Sequence, residues 1–338
     1  MSAKTSFFRF AVVAFILLVS FESPCFAVPG ADDLSKIVNS AYQEFKNDKS
    51  GKNADYIPEL AKVPSELFGI AIVTVNGDVY TAGDVDYTFS IQSVSKPFTV
   101  GLVMQQQGEQ IIIDKVGVEP TGLPFNSVMA VELLTTRSGN PLVNPGAIAT
   151  VSLVAAKNGE ERFHKILDFF DLLSGSTLSV MEDVYQSEAS TNFRNRAFGH
   201  LLHVYDRIYS DPMSAVDVYT RQCAIGVTAR QLAVMGATLA NNGVNPVTKI
   251  QVIDKPYVSK ILAVMMAGFY NESGKWAWDT GIPAKTGVGG GIVAIVSGQM
   301  AIVGFSPRLN EAGNSVRATK AITYIVKKLG LNLFEHSQ

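Results

Sequence analysis

Leu34, Ile37, Val38, Ala41 and Phe45 recur with the spacing of one helix face, so residues 33–47 read as an amphipathic helix. The pattern then turns strand-like. Gly69 to Val75 is a run rich in β-branched side chains; Asn76-Gly77 and Asp78 to Thr81 follow it, which predicts a hairpin closed by a type I′ turn. From Ser93 to about Asn242 the pattern is mostly helical, with loops expected at residues 120–124, 139–146 and 187–195. The best-marked helix there is capped by Thr228, carries Leu232, Met235 and Leu239 on one stripe and ends by Gly243. Strand signals return at Gly291 to Val296 and Met300 to Phe305, around Ser297-Gly298-Gln299. A last helix from about Asn314 presents Val316, Ile322, Ile325, Val326 and Leu329.

Helix, strands, helical middle, strands, helix is the order of an α+β fold, one antiparallel sheet flanked by N- and C-terminal helices with an inserted helical subdomain. The sheet part spans residues 28–90 and 245–338, and the insertion 91–244. Small-molecule sites favour the cleft between such parts.

The first 27 residues read as a leader: Lys4 and Arg9 make a basic start, Phe10 to Val19 an apolar run, and Cys25-Phe26-Ala27 a cleavage site with small residues at −3 and −1. The apolar run is shorter than the roughly 18–20 residues that span a bilayer. Periplasmic or secreted localisation follows, with no integral span after cleavage. Lipidation of Cys25 is disfavoured by Glu22, Ser23 and Pro24. The remaining chain keeps Cys223 as its one cysteine and forms no internal disulfide. Its formal charge falls from −2 to −3, with 26 basic against 29 acidic residues, which gives nucleic acid no electrostatic footprint.

Candidate chemistry starts at Ser93-Val94-Ser95-Lys96. On a helix, positions i and i+3 share a face, and a lysine that loses its proton through desolvation serves as base to a serine nucleophile. The S-x-x-K pattern belongs to serine acyl-transfer enzymes of the β-lactamase and penicillin-binding type. Its bland reading is a solvated Ser/Lys pair. Lys285-Thr286-Gly287, before the late strands, matches their K-T-G element. There the lysine adds positive potential, the hydroxyl offers a hydrogen bond and the glycine permits close approach. Backbone N–H groups of Ser93 and Val288 then make an oxyanion hole if strand and helix face each other. Ser138-Gly139-Asn140 matches the third element by letter but reads as turn punctuation, with Asn140 shaping the loop.

Five stretches, Asp55-Tyr56-Ile57-Pro58-Glu59-Leu60-Ala61, Gln92 to Pro97, Asn140 to Ile148, Gln186-Ser187-Glu188 and Ile282 to Gly291, together closely resemble the serine-dependent glutaminase family. The resemblance runs from about residue 33 to 330. It implies a β-lactamase-like fold and hydrolysis of L-glutamine to L-glutamate and ammonia through an acyl-enzyme, with no cofactor and no metal. It makes Ser93 the nucleophile, Lys96 its base and Tyr270 a proton carrier. Substrate contacts fall on Tyr56, Ser93, Asn144, Glu188, Asn195, Tyr219, Tyr270 and Val288, with Lys285 added from the K-T-G element. A homodimer or homotetramer is the expected assembly. Departures are Asn192 and Phe193 in the glutamate loop, Pro145 after Asn144, and the leader itself.

Without that resemblance, Tyr219 and Tyr270 read as core aromatics and Glu188 and Asn195 as helix caps. His200 and His203 form an H-x-x-H lacking a third ligand at zincin spacing. The chain has four histidines and no G-x-S-x-G, against a Ser-His-Asp hydrolase, and Trp276 after Gly274-Lys275 removes a Walker A loop. A penicillin-binding or β-lactamase-like enzyme, and a non-catalytic amino-acid-binding protein on the same fold, stand as alternatives.

Overall fold

The computed structural model describes residues 30–335, so the expected leader at residues 1–27 lies outside them. The described strands are β1 (Gly69–Thr74), β2 (Val79–Gly83), β3 (Phe89–Ser90), β4 (Ser179–Val180), β5 (Ile225–Val227), β6 (Ala284–Thr286), β7 (Gly291–Val296) and β8 (Met300–Phe305). Five of them form one antiparallel sheet in the order β2-β1-β8-β7-β6. The hairpins from the two ends of the chain meet at β1 and β8, where Gly69 pairs with Phe305 and Thr74 with Met300.

Every residue of β1, β7 and β8 is buried, because helices cover both faces. Strand alternation divides these residues between two cores. Ile70, Ile72, Ile292, Ala294 and Ile302 pack with helices Ala31–Phe45 and Val316–Leu329. Ala71, Val73, Val293, Ile295 and Val303 face the other way, with helix Ala229–Ala240 and the helical insertion. Gly236 lets that helix sit close: a Cβ there would lie 2.6 Å from Val293 Cγ2 and 2.7 Å from Ala301 Cβ.

The first hairpin departs from the predicted type I′ turn. Only Gly77 takes a positive φ, +98°, and Asn76 does not. Gly77 N donates to Thr74 O and Thr74 N to Asp78 O, both at 3.0 Å, so Val75, Asn76 and Gly77 form a three-residue loop with the glycine in the bulge position.

The helical middle also differs in detail. Strands β3, β5 and β4 pair antiparallel into a small second sheet, too short for a periodicity to register. The expected loop at 139–146 gives way to helix Asn144–Leu153, because Pro145 occupies its first turn, where a missing N–H costs nothing. Gly146 is needed in that turn: a Cβ would lie 1.9 Å from Asn140 O. The expected loop at 187–195 is two helices, Glu182–Thr191 and Phe193–Val204, joined at Asn192. Ser190 and Thr191 hydroxyls donate back to Ser187 O, so the small polar residues that read as loop finish a helix. The helix capped at Thr228 has a full capping box with Gln231. Among the described residues, no helix is long and apolar enough to cross a membrane.

Candidate active site

Ser93 lies on a 3₁₀ turn, Gln92–Ser95, that leads into α-helix Lys96–Gln107. Positions i and i+3 eclipse in a 3₁₀ turn, which sets Lys96 on the same side as Ser93. Gln92 enters the turn with φ +49°, uncommon for a residue with a side chain, and a buried polar network holds it there. Ser95 Oγ donates to Gln92 O at 2.6 Å and accepts from Gln222 Nε2 at 2.8 Å, while Thr99 Oγ1 donates to Gln222 Oε1 at 2.8 Å.

Strand β6 meets this turn directly. A Cβ on Gly287 would lie 3.0 Å from Val94 Cγ2, 3.1 Å from Ile91 O and 3.2 Å from Val94 N. Lys285 and Thr286 thus lie on the edge strand, and Gly287, just past its end, admits the nucleophile turn. Among the described residues neither Ser93 N–H nor Val288 N–H donates to a protein group, so both are free for an oxyanion.

Lys96 is fully buried. Its Nζ donates to Asn144 Oδ1 at 2.8 Å and Leu142 O at 3.3 Å, and neither bond goes to Ser93. Asn144 Oδ1 also accepts from the Tyr219 hydroxyl at 3.2 Å, and its Nδ2 donates to Asn195 Oδ1 at 3.0 Å. Burial brings the Lys96 pKa down to about 7 against the opposing pull of Cys223 and Glu188. Glu188 is also buried, and burial pushes its carboxyl up to about 7, while the Gln92 amide, 3.1 Å away, and Lys96 oppose that rise.

Tyr270 sits in a 3₁₀ turn with φ +58°, fixed by Ser273 Oγ donating to its carbonyl at 2.8 Å. Its hydroxyl donates to Thr286 O at 3.2 Å and lies beside Ser93; burial raises its pKa and the Ser93 hydrogen bond lowers it. Phe125 packs on its ring at 4.7 Å between centroids.

A pocket of about 300 Å³ opens over this arrangement. Tyr56, Ser93, Asn144, Glu188, Asn195, Tyr219 and Val288 line it. Tyr56 is 54% exposed as a residue, yet burial of its hydroxyl, then Tyr270 and Glu188, push its pKa up. Lys96 and Tyr270 stand behind the wall. Lys285, expected to touch substrate, does not line the pocket. Its Nζ donates to Gly268 O at 2.9 Å and Thr286 O at 2.8 Å and lies 4.1 Å from the Tyr270 ring centroid. Burial first, then Lys96, hold its pKa well below the lysine range. The K-T-G match is correct by letter, but the strand edge turns this side chain inward. Asn140 shapes its loop, with Nδ2 on Glu119 O and Oδ1 receiving Leu142 N.

Other lining residues escaped the sequence reading: Gln92, Phe125, Asn126, Asn192 and Arg194 among them. Gln92 adjoins the nucleophile and heads the resembling stretch Gln92 to Pro97, and Arg194 adjoins Asn195; those are the signals the sequence offers for them. His200 and His203 are exposed on helix Phe193–Val204, away from the pocket lining.

The glutaminase family model matches residues 51–334. The chain belongs to the glutaminase family. It is 54% identical over 302 residues to the glutaminase of Colwellia psychrerythraea, covering 89% of this chain and 97% of that one. It is 49% identical over 306 residues to glutaminase 1 of Escherichia coli K12, covering 90% and 99%. A solved probable glutaminase superposes with a TM-score of 0.90 at 48% identity, over 91% of this chain and all of that one. A probable glutaminase from Bacillus subtilis, complexed with 6-diazo-5-oxo-L-norleucine, gives 0.80 at 30% identity, over 90% and 97%. These glutaminases share the β-lactamase-like α+β architecture expected from the sequence.

Proposed function

We propose that the chain hydrolyses the side-chain amide of L-glutamine to L-glutamate and ammonia through an acyl-enzyme on Ser93. The observation that carries this reading is the hydrogen bonding of Lys96. A neutral amine has two N–H groups and one lone pair. Leu142 O and Asn144 Oδ1 take the two N–H groups, which leaves the lone pair for the Ser93 proton. Burial favours that neutral form near neutral pH.

In the reaction Ser93 Oγ bonds to the amide carbon as its proton passes to Lys96. The N–H groups of Ser93 and Val288 meet the oxyanion, and Tyr270 relays the proton to the leaving nitrogen as the C–N bond breaks. Water then loses a proton to Lys96, attacks the ester and frees glutamate and the Ser93 hydroxyl. Glu188 faces the substrate ammonium, and charge on that partner favours its carboxylate form. Asn144 and Asn195 supply amide groups to the amino-acid head. The ligand of the Bacillus subtilis relative, 6-diazo-5-oxo-L-norleucine, is a glutamine analogue with a diazoketone in place of the amide, which supports glutamine as the substrate.

Export through residues 1–27 is part of the same proposal and places the activity in the periplasm or outside the cell. Fractionation with N-terminal sequencing tests it. Assembly as a homodimer or homotetramer is proposed as well, on the exposed apolar side chains Leu133, Phe193 and Val204, and light scattering measures it. The catalytic reading is tested by a coupled glutamate assay on the purified protein with Ser93→Ala and nitrocefin as controls. Ammonia release from glutamine, lost in Ser93→Ala and absent with nitrocefin, is the expected result; nitrocefin turnover without glutamine turnover overturns it.

A further inference from the structure

The pocket wall carries one cationic side chain. Arg194 occupies the first turn of helix Phe193–Val204, is exposed at the mouth, and forms no ion pair among the described residues. Its Nη1 donates to Asn126 O at 3.1 Å, on another lining segment, which ties the guanidinium to the pocket wall and leaves other N–H groups unused. Lys96, the nearest alternative cation, lies behind the wall with both neutral-form N–H groups engaged.

Glu188 lies on the preceding helix, Glu182–Thr191, and lines the same pocket. The two adjoining helices therefore offer one anionic and one cationic side chain to a single ligand. That is the charge pattern of a free α-amino acid head, an ammonium beside a carboxylate.

We infer that Arg194 recognises the α-carboxylate of the substrate and makes the site selective for free amino acids over ligands whose carboxyl is blocked as an amide. The inference rests on the glutamine reading of the pocket and adds the residue that distinguishes free from blocked carboxyl. A site built around a charged partner rejects the analogue lacking it more strongly than apolar contact could. The asparagines place the head by hydrogen bonds, and the arginine alone distinguishes a carboxylate from a neutral amide by charge.

The test compares inhibition of glutamine hydrolysis by L-glutamate and by L-glutamic acid α-amide, in wild type, Arg194→Gln and Arg194→Lys. The ratio of the two inhibition constants is independent of the fraction of correctly folded enzyme. The expected result is a wild-type preference for glutamate that shrinks at least about tenfold in Arg194→Gln and returns partly in Arg194→Lys. A preference that stays within about twofold in Arg194→Gln, or that is absent from the wild type, overturns the assignment. Wild-type protein that releases no ammonia from glutamine defeats the glutamine reading instead, so the two failures are distinct.

Discussion

Asn144 Oδ1 accepts from Lys96 Nζ at 2.8 Å and from the Tyr219 hydroxyl at 3.2 Å, so one amide oxygen joins the base to the pocket wall. The amide cannot turn over without also losing its Nδ2 bond to Asn195. Asn144→Asp keeps the shape and puts a negative charge beside the amine, which favours protonated Lys96. The acid limb of the pH profile of kcat/KM is predicted to move to higher pH by about 1–3 units. A limb that stays in place while activity falls would show that Asn144 acts only on substrate.

Lys96 and Glu188 predict opposite stability slopes. Lys96 has its folded pKa, about 7, below the unfolded value near ~10.4, so the unfolded chain binds more protons between them and stability rises with pH across that window. Glu188 has its folded pKa raised to about 7 from the usual ~4.3; its contribution is fully present below the unfolded pKa and is lost as pH rises through about 7. Lys96→Met should flatten the melting-temperature profile above pH 7, and Glu188→Gln should flatten it between about pH 4 and 7. Calorimetry across pH checks both, and unchanged slopes would remove burial as the cause of the shifts.

Gly287→Ala should slow turnover while sparing binding. Its Cβ would press Val94 and the Ile91 carbonyl at 3.0–3.1 Å, separating Val288 N–H from the Ser93 turn. Misplacing one oxyanion donor costs about 10²–10³ in kcat. Steady-state kinetics should therefore show a lower kcat with little change in KM; a change in KM alone counts against an oxyanion role for Val288 N–H.

Lys285→Met should behave as loss of a support behind the wall. Gly268 O loses its side-chain donor, at about 1–3 kcal/mol for a buried group left unpaired, Thr286 O keeps only the Tyr270 hydroxyl as side-chain donor, and Tyr270 loses the amine packed against its ring. The expected result is a lower melting temperature and lower kcat, with KM for glutamine changed by less than about twofold. A large rise in KM would return Lys285 to the substrate contacts that its motif first suggested.

The sequence made the sheet legible because its apolar runs are long and bounded by turns, as at Gly291 to Val296. Site elements were harder to read. Asn144-Pro145-Gly146 has the letters of a turn, but Pro145 starts a helix and Gly146 is there because Asn140 O occupies the space of a side chain. The pairing of Phe89 with Val227 joins residues far apart in sequence through strands of two or three residues, which leave no periodicity. Motif letters located Lys285 but not its direction, because orientation at a strand edge depends on register against β7, where it pairs with Val293. Gln92 heads a stretch that carries the resemblance and Arg194 precedes Asn195, but neither letter shows a place in the pocket wall; that comes from the fold, which lines one pocket with the nucleophile turn and helices Glu182–Thr191 and Phe193–Val204.

The most direct test of the central claim is intact-protein and peptide mass spectrometry after rapid acid quenching of the enzyme with L-glutamine. A glutamyl adduct on the peptide containing Ser93, formed as the first ammonia is released and absent from Ser93→Ala, is the predicted result. Ammonia release at the wild-type rate by Ser93→Ala, with no adduct on any serine, would contradict the account.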